Sequence, residues 1–475
     1  MEAEVISQLC QIVGENNCST RTADLYAYGF DASIHHENPD IVTRPENTQQ
    51  VSEIVKLANE RKIPVTARGA GTGLCGHAVP LQKGIVMDMC KMNKILEVHV
   101  EDLYCVIQPG VVYAQLNKEL AKKKFFFPPT PGSGDVCTIG GMVAVNASGM
   151  RAIKYGATRD YVLGLEVVLP TGEVMRCGTR TLKNSSGFQL ERLFVGSEGM
   201  LGIITEINLR VSPLPKARAI AMVAFDELVN AGQCVSNLIA KPLIPSGIEI
   251  IDKVCIKAVN NAMKVGFPEV EAMLLVEVDG HPSVVEEEIK MVSEICEESG
   301  ATSVEFSTDP KTMNKWISGR KAVLPSLSRY GEKFVSVSLA DDMSVPMSKI
   351  PEAVSAFQEI AERNHVIVGT YGHAADGNLH TKMLLDPQSK QSWKNGEKAV
   401  GEIFDAVMAL GGTVTGEHGV AISKAPYMQK ERPTALVAMK AIKRALDPNN
   451  IMNPGKIMDW EGSIISHLRY EIEGE

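Results

Sequence analysis

Apolar residues fall at Val51, Ile54, Val55 and Ala58 across 47–61, with Leu57 widening the same stripe. That spacing predicts an amphipathic helix capped by Asn47 or Thr48. A short apolar run at 63–67, a glycine-rich loop at 68–76 and β-like runs at 84–89 and 105–108 follow, before 111–122 returns to helical spacing. Helices and β-runs interleave to about residue 213, which predicts an α+β unit. The double-proline tract 209–216 (LRVSPLPK) marks a boundary. Beyond it, strand candidates at 219–225, 272–278 and 301–306 alternate with amphipathic helices such as 282–299, predicting a second sheet with helices on one face. Runs at 366–371 and 379–385 suit a hairpin around the turn signal Asp376-Gly377. A helix at 433–446, the turn Asp447-Pro448-Asn449-Asn450 and an acidic tail close the chain. The expected organisation is a first domain at 1–216, a second at 217–425, and 426–475 packing back on the first.

Composition narrows the function. The chain has 475 residues, 44% of them hydrophobic, which suits two or three folded domains. A net charge of -9 argues against a phosphate-binding face, so nucleic acid is not an expected partner. The first twenty residues carry acids and lack a basic stretch followed by an apolar core, so no secretory signal is read there. No stretch approaches the roughly 20 apolar residues that cross a bilayer. Cysteines stand at Cys10, Cys18, Cys75, Cys90, Cys105, Cys137, Cys177, Cys234, Cys255 and Cys296, with no CxxC pair. This spacing speaks against a cysteine-held iron–sulfur cluster or zinc knuckle, and free buried thiols in a reducing cytoplasm are the expectation.

Gly71-Thr72-Gly73-Leu74-Cys75-Gly76 satisfies G-x-G-x-x-G after a strand candidate, but His77-Ala78-Val79-Pro80 follows where a dinucleotide fingerprint needs a helix. An NAD site is therefore not expected. The loop still suits an anion: glycines let successive backbone N–H groups turn into one concavity. Two more glycine-rich tracts occur, one from Pro128 to Gly134 running on through Cys137–Gly149, the other Gly196–Thr205. Three loops where backbone must approach something suit one long ligand in a groove.

Histidines supply the second signal. His373 and His380 flank the Asp376-Gly377 turn, and a hairpin there sets them facing each other, with opposite Cβ atoms about 5 Å apart. Glu417 and His418 lie in Gly416-Glu417-His418-Gly419. One such histidine alone is usually a satisfied turn residue. Two histidines and a glutamate in glycine-bracketed loops also make a His₂Glu metal set with open positions, and His418 adds a base or another ligand.

The glycine loops, with Lys154-Tyr155-Gly156-Ala157-Thr158-Arg159-Asp160 and Lys183-Asn184-Ser185-Ser186-Gly187, resemble the FAD-binding domain of the vanillyl-alcohol oxidase superfamily. Within it the likeness is to the glycolate oxidase D-subunit and FAD-dependent D-lactate dehydrogenase branch, over about residues 40–457. The resemblance implies an α+β chain: a two-part FAD-binding domain of the vanillyl-alcohol oxidase (PCMH) type and a larger-sheet α+β cap domain for substrate. It implies that Arg68, Gly69, Ala70, Gly71, Thr72, Gly73 and Leu74 hold the FAD pyrophosphate. Thr138, Gly140, Gly141, Asn146, Ser148, Gly199, Gly202, Ile203 and Ile204 line its ring systems, and Pro131, Gly149, Tyr155 and Asn453 complete the contacts. Relatives that attach FAD through a histidine carry it where Thr72 stands, so non-covalent FAD is expected and His77 is read as structural.

Gly372–His380 resembles the family's G-H-x-G-D-G-N-L-H motif and Gly416–Gly419 its G-E-H-G motif. That assigns His373, His380 and Glu417 to a divalent metal (Zn, Fe or Mn) and His418 to the base. Ala375 and Ala421 stand where the motifs carry glycine. Trp316–Arg320 resembles the segment whose arginine, here Arg320, pairs with the substrate carboxylate, and Asn378 helps position the substrate. Members accepting long diacids carry a further lysine near Ala340, absent here, which points to a short monoacid.

These features imply an FAD-dependent dehydrogenase oxidising a small, D-configured 2-hydroxy acid such as D-lactate or glycolate, with hydride passing to flavin N5. Electrons then go to a protein partner, an iron–sulfur subunit or an electron-transferring flavoprotein, in the cytoplasm or at a membrane through that partner. The tail after Lys456 is either a docking segment or an unstructured end. A flavin-bearing electron-transfer or scaffold subunit without its own turnover is the alternative. A metal-dependent hydrolase would leave three glycine loops idle.

Overall fold

The computed structural model describes residues 1–339, 341–458 and 462–470. Ala340 lies outside the described residues, as do parts of the tail after Lys456, at 459–461 and 471–475. The described chain forms two compact units: Met1–Ser148, Ala157–Leu214 and Glu417–Arg469 make the first, while Gly149–Gly156, Pro215–Gly416 and Tyr470 make the second.

This partition differs from the expected boundaries at two places, for identifiable reasons. Residues 149–156 leave the first unit because Arg151 pairs with Glu277 at 2.9 Å, Lys154 with Asp279 at 2.6 Å, and the Tyr155 hydroxyl donates to Asp279 at 2.8 Å. Both acids are buried on the strand Ala272–Gly280. Residues from 417 onward leave the second unit because Glu198 accepts the N–H groups of Val420 and Ala421 at 2.7 and 2.8 Å, and Ile422 N–H donates to Cys75 O at 3.0 Å.

The first unit holds two main sheets. One runs in the order Cys18–Ser19, Ile41–Thr43, Ile85–Asp88, Val65–Arg68, with the last three strands parallel. The predicted helix, Thr48–Arg61, buries Val51, Ile54, Val55 and Ala58 against it, and Asn47 caps its start by accepting from Gln50 N–H at 3.0 Å. No helix separates Val65–Arg68 from Ile85–Asp88, so the glycine loop between them is not a dinucleotide fingerprint. The other sheet is antiparallel, in the order Ile95–His99, Tyr104–Ile107, Ile203–Arg210, Val162–Val168, Val174–Gly178. Ile139, Met142 and Val143 of the short helix Ile139–Val145 join its core.

Cys10 and Cys18 form a disulfide between the first helix, Ala3–Val13, and the first strand. The expectation of free thiols fails there, because the chain after that helix turns back within eight residues; the other eight cysteines form no disulfide among the described residues.

The second unit is built on one antiparallel sheet, eight strands among the described residues. Its order is Ser303–Ser307, Ala217–Phe225, Ala272–Gly280, Gly247–Asp252, Ile367–His373, Asn378–Leu385, Val335–Val337, with Met343–Ser344 also on Asn378–Leu385. Helices cover both faces, not one. Tyr371 and Leu384 pack with Cys255, Trp316 and Leu327 from helices on one face, whereas Leu385, on the other, meets Gly396 of the helix Lys390–Ala409.

The predicted hairpin forms, with a shifted register. A 3₁₀ turn at Ala374–Asp376 and Gly377 at φ +78° connect its strands. His373 therefore opposes Asn378, and His380 opposes Tyr371, so the two histidines are diagonal neighbours. Gly377 is required: its backbone is left-handed, and an added methyl would run into the carbonyl oxygen of Val345. Ala375 sits buried in the 3₁₀ turn with no left-handed backbone, so the methyl there is accommodated. Gly377→Ala is expected to cost about 2 kcal/mol or more, since left-handed backbone alone costs an alanine roughly 1–2. Urea unfolding measures this, and an unchanged midpoint would contradict the hairpin geometry.

Candidate active site

In the second unit, directly paired residues on neighbouring antiparallel strands share a face of the sheet. Glu249 pairs with His373, His373 with Asn378, and Tyr371 with His380, so one face presents Glu249, Tyr371, His373, Asn378 and His380 together. The His373 and His380 rings lie 5.3 Å apart between centroids, edge to face. Glu249 Oε1 accepts His373 Nδ1 at 2.6 Å, and its Oε2 lies 2.5 Å from Arg320 Nε. Burial works against the Glu249 charge, but Arg320 and His373 outweigh it and hold its carboxyl below the usual range.

Arg320 comes from the last turn of the helix Pro310–Lys321, whose start Asp309 caps by accepting Thr312 N–H at 2.9 Å. Its guanidinium carbon sits 4.7 Å from the Tyr371 ring centroid, and its Nη2 is buried without a hydrogen-bond partner among the described residues. Asn378 commits its Nδ2 to Asp342 Oδ1 at 2.8 Å, leaving Oδ1 buried and without a hydrogen bond among the described residues. Asp342 adopts a left-handed backbone at φ 73°, an uncommon state for a residue with a side chain. It also accepts the Thr415 hydroxyl at 2.9 Å, and its carbonyl accepts Gly416 N–H at 3.0 Å. A carboxylate oxygen of Asp342 and a ring nitrogen of His380 lie within 4.8 Å. Two imidazoles and carboxylate oxygens on one face are a donor set suited to a divalent cation.

In the first unit the three glycine loops adjoin. A methyl on Gly69 would collide with Thr138 Oγ1, while Gly196 N–H donates to Val143 O at 3.0 Å and Glu198 N–H to Ala144 O at 2.8 Å. Gly71 is left-handed at φ +70° and leaves no room for a methyl beside Arg68. These are cradles where backbone N–H groups can meet a diphosphate, so the loops fit FAD.

Several expected cofactor residues play other local roles. Arg68 donates to Phe30 O at 2.7 Å and stacks on Tyr28, which braces the loop from within. Ile203 and Ile204 are core side chains, so only their backbone can face a ligand. Asn453 is buried, donating to Glu198 O at 2.7 Å and His77 O at 3.1 Å, so it ties two of the loops together. Gly149 and Tyr155 belong to the second unit.

Glu417 and His418 also lie in the first unit, with His418 Nε2 3.6 Å from Glu417 Oε1. Gly419 is left-handed at φ +76°, where a methyl would strike Glu198 and His77. Ala421 takes φ 37°, its N–H on Glu198, so the alanine at this motif position is accepted in a glycine-like conformation. Burial opposes charge on Glu198, but His77, 3.4 Å away, and the two amides hold its carboxyl below the usual range. Glu198, Glu249 and Asp342 were not singled out in the sequence. The available signal was an acid at an inward position of an apolar strand, in Gly247-Ile248-Glu249-Ile250-Ile251, and an acid inside a glycine loop.

Comparison with known proteins bears on both units. Residues 214–457 match the family described as FAD linked oxidases, C-terminal domain, and residues 39–178 match an FAD binding domain. The glycolate oxidase subunit GlcD of Bacillus subtilis is 38% identical over 457 residues, 96% of each chain. The mitochondrial D-lactate dehydrogenase (cytochrome) of Arabidopsis thaliana is 34% identical over 96% of this chain and 80% of its own length. A D-lactate dehydrogenase of Archaeoglobus fulgidus is 35% identical over 88% and 91%. Among solved structures, 4-ethylphenol oxidase from Gulosibacter chungangensis superposes with a TM-score of 0.79 at 18% identity, covering 96% of this chain and 97% of that one. p-Cresol methylhydroxylase gives 0.78 at 17%, covering 96% of each. At these identities the structures establish the vanillyl-alcohol oxidase/PCMH fold alone.

Two outcomes follow from the first unit. Glu198→Ala removes the acceptor of two amides, so hydrogen exchange at Val420 and Ala421 should accelerate by roughly tenfold or more, each charge-assisted bond being worth about 1.5–3 kcal/mol. Unchanged protection would show that Glu198 does not hold this loop. His35 is buried between Ser466 O and Ser423 Oγ, and burial lowers its pKa from 6.5 to about 4. In that window the unfolded chain takes a proton that the folded one refuses, so its contribution to stability is complete above about pH 6.5 and declines towards pH 4. His35→Gln should flatten the fall in melting temperature over this range; parallel curves would refute the buried neutral state.

Proposed function

We infer the activity from a fixed premise: the chain belongs to the FAD-linked oxidase family. It is an FAD-dependent oxidoreductase. The substrate we propose is a small 2-hydroxy acid of D configuration, such as D-lactate or glycolate, oxidised to the 2-oxo acid. The names of its relatives support this class. The observation that carries it is Arg320, a buried guanidinium with Nη2 lacking a hydrogen bond, on the face that bears His373 and His380.

In this reading Arg320 Nη2 takes the substrate carboxylate, and Tyr371 beneath it keeps the guanidinium plane fixed. Asn378, with Oδ1 buried and without a hydrogen bond among the described residues, helps position the substrate. His418 removes the hydroxyl proton as general base, which turns the α-carbon into a hydride donor. His373, His380 and Glu417 would hold the divalent ion, which when bound lowers the pKa of the hydroxyl it contacts. The loops 68–74, 138–148 and 199–204 would hold FAD non-covalently, and when bound it accepts the hydride equivalent. Thr72 stands where a covalent histidine is found in some relatives, which supports the non-covalent form.

Relatives named as subunits support a protein electron acceptor, and we propose an iron–sulfur subunit or an electron-transferring flavoprotein. No helix among the described residues is long and apolar enough to cross a membrane, so any membrane contact is assigned to that partner. The cytoplasm is the proposed location.

His418→Ala should retain FAD absorbance and metal content while flavin reduction by D-lactate or glycolate slows by about 10²–10⁴-fold. Anaerobic stopped-flow bleaching measures this. Reduction at the wild-type rate would remove His418 from the base role.

A further inference from the structure

Glu249 is placed by the sheet, not by a loop. Its strand Gly247–Asp252 pairs antiparallel with Ile367–His373, and the register sets Glu249 directly opposite His373. The strand is otherwise apolar at its centre, with Ile248, Ile250 and Ile251 fully buried. An acid there is only 2% exposed, and such a group is costly unless both oxygens are engaged. Both are: Oε1 meets His373 Nδ1 at 2.6 Å and Oε2 meets Arg320 Nε at 2.5 Å. Arg320 arrives from a helix far along the chain and is itself 7% exposed.

We propose that Glu249 is a positioning residue that orients the metal-binding nitrogen of His373 and the carboxylate-binding edge of Arg320 from one buried charge. The proposal rests on the reading of His373 and Arg320 given above. A carboxylate accepts only, so Nδ1 of His373 must carry the proton it donates. That puts the lone pair on Nε2, the nitrogen that would ligate the ion. The same carboxylate holds Nε of Arg320 in an ion pair at 2.5 Å, without a hydrogen bond, and Nη2 has no hydrogen bond among the described residues. Metal affinity and substrate-carboxylate recognition are thereby coupled through one side chain that touches neither ligand.

Glu249→Gln tests this with nearly unchanged volume. A carboxamide has one acceptor oxygen, and the amide NH₂ must face either His373 or Arg320. Facing His373, it draws the lone pair to Nδ1 and moves the proton to Nε2, where a ligand is needed. Facing Arg320, it opposes one donor with another. The full-length FAD-loaded protein is titrated with Zn²⁺ against a chromophoric chelator, and KM and kcat are measured separately for D-lactate and glycolate. Glu249→Gln should weaken Zn²⁺ binding by about 10–100-fold and raise KM, while Glu249→Asp, which keeps both acceptors, recovers part of each. In a His373→Ala background the Glu249→Gln change should add nothing further to the loss of Zn²⁺ affinity.

A lowered melting temperature with Zn²⁺ affinity and KM at wild-type values would overturn the proposal, leaving Glu249 as packing alone. A full additional loss of affinity in the His373→Ala background would also overturn it. Failure of the underlying metal assignment shows elsewhere, as a wild-type protein that takes up no Zn²⁺, and it would carry the proposal down with it.

Discussion

The buried carboxylate of Glu249, shared between an imidazole and a guanidinium, is the constraint on which the second unit's polar face depends. An apolar sheet tolerates ionised groups only when each is met by a partner, and here the partners are held on three separate elements. Strand register supplies His373, the end of a helix supplies Arg320, and the Tyr371 ring supports the guanidinium. Losing Glu249 would leave Arg320 without its carboxylate, and losing Arg320 would leave Glu249 with His373 alone, so the strand and helix are fixed together. The neighbouring donor set (His380, Asn378 and the left-handed Asp342) continues the same logic along the next strands.

The first unit solves a related problem with backbone. Three glycine loops adjoin because methyl groups are missing where they meet, as at Gly69 against Thr138. Glu198 then anchors the segment after Gly419 by accepting two consecutive amides, with His77 beside it. Lys456 is fully buried behind this arrangement, donating to Asn453 Oδ1 and His77 O at 2.6 and 2.5 Å, and burial lowers its pKa to about 7. Glu417 and His418, the proposed ligand and base, thus precede a segment held by buried ionisable groups.

Some of this was legible in the sequence and some was not, for physical reasons. The helix Thr48–Arg61, with its Asn47 cap, and the helix Pro433–Leu446 followed from apolar period and end signals, which are local. The hairpin bearing His373 and His380 was legible, but its register was not. The 3₁₀ turn consumes residues 374–376, which moves each histidine opposite a different partner. The unit boundaries at 149–156 and 417 rest on ion pairs and amide contacts between residues more than a hundred positions apart, which no local pattern encodes. Glu198 and Glu249 were passed over for the same reason: each gains its meaning from distant partners. The motifs point to the proposed chemistry, and the fold shows which buried groups contact the residues that carry them.

The central claim is that this flavoprotein takes a hydride equivalent from a small 2-hydroxy acid with the help of a divalent ion. Anaerobic mixing of the FAD-loaded protein with D-lactate, before and after dialysis against a chelator, tests it most directly. The account predicts bleaching of the flavin band in the untreated protein, its loss after chelation and its return when Zn²⁺ or Mn²⁺ is restored. A flavin that dithionite reduces but neither D-lactate nor glycolate does, or one that bleaches equally well without metal, would contradict it.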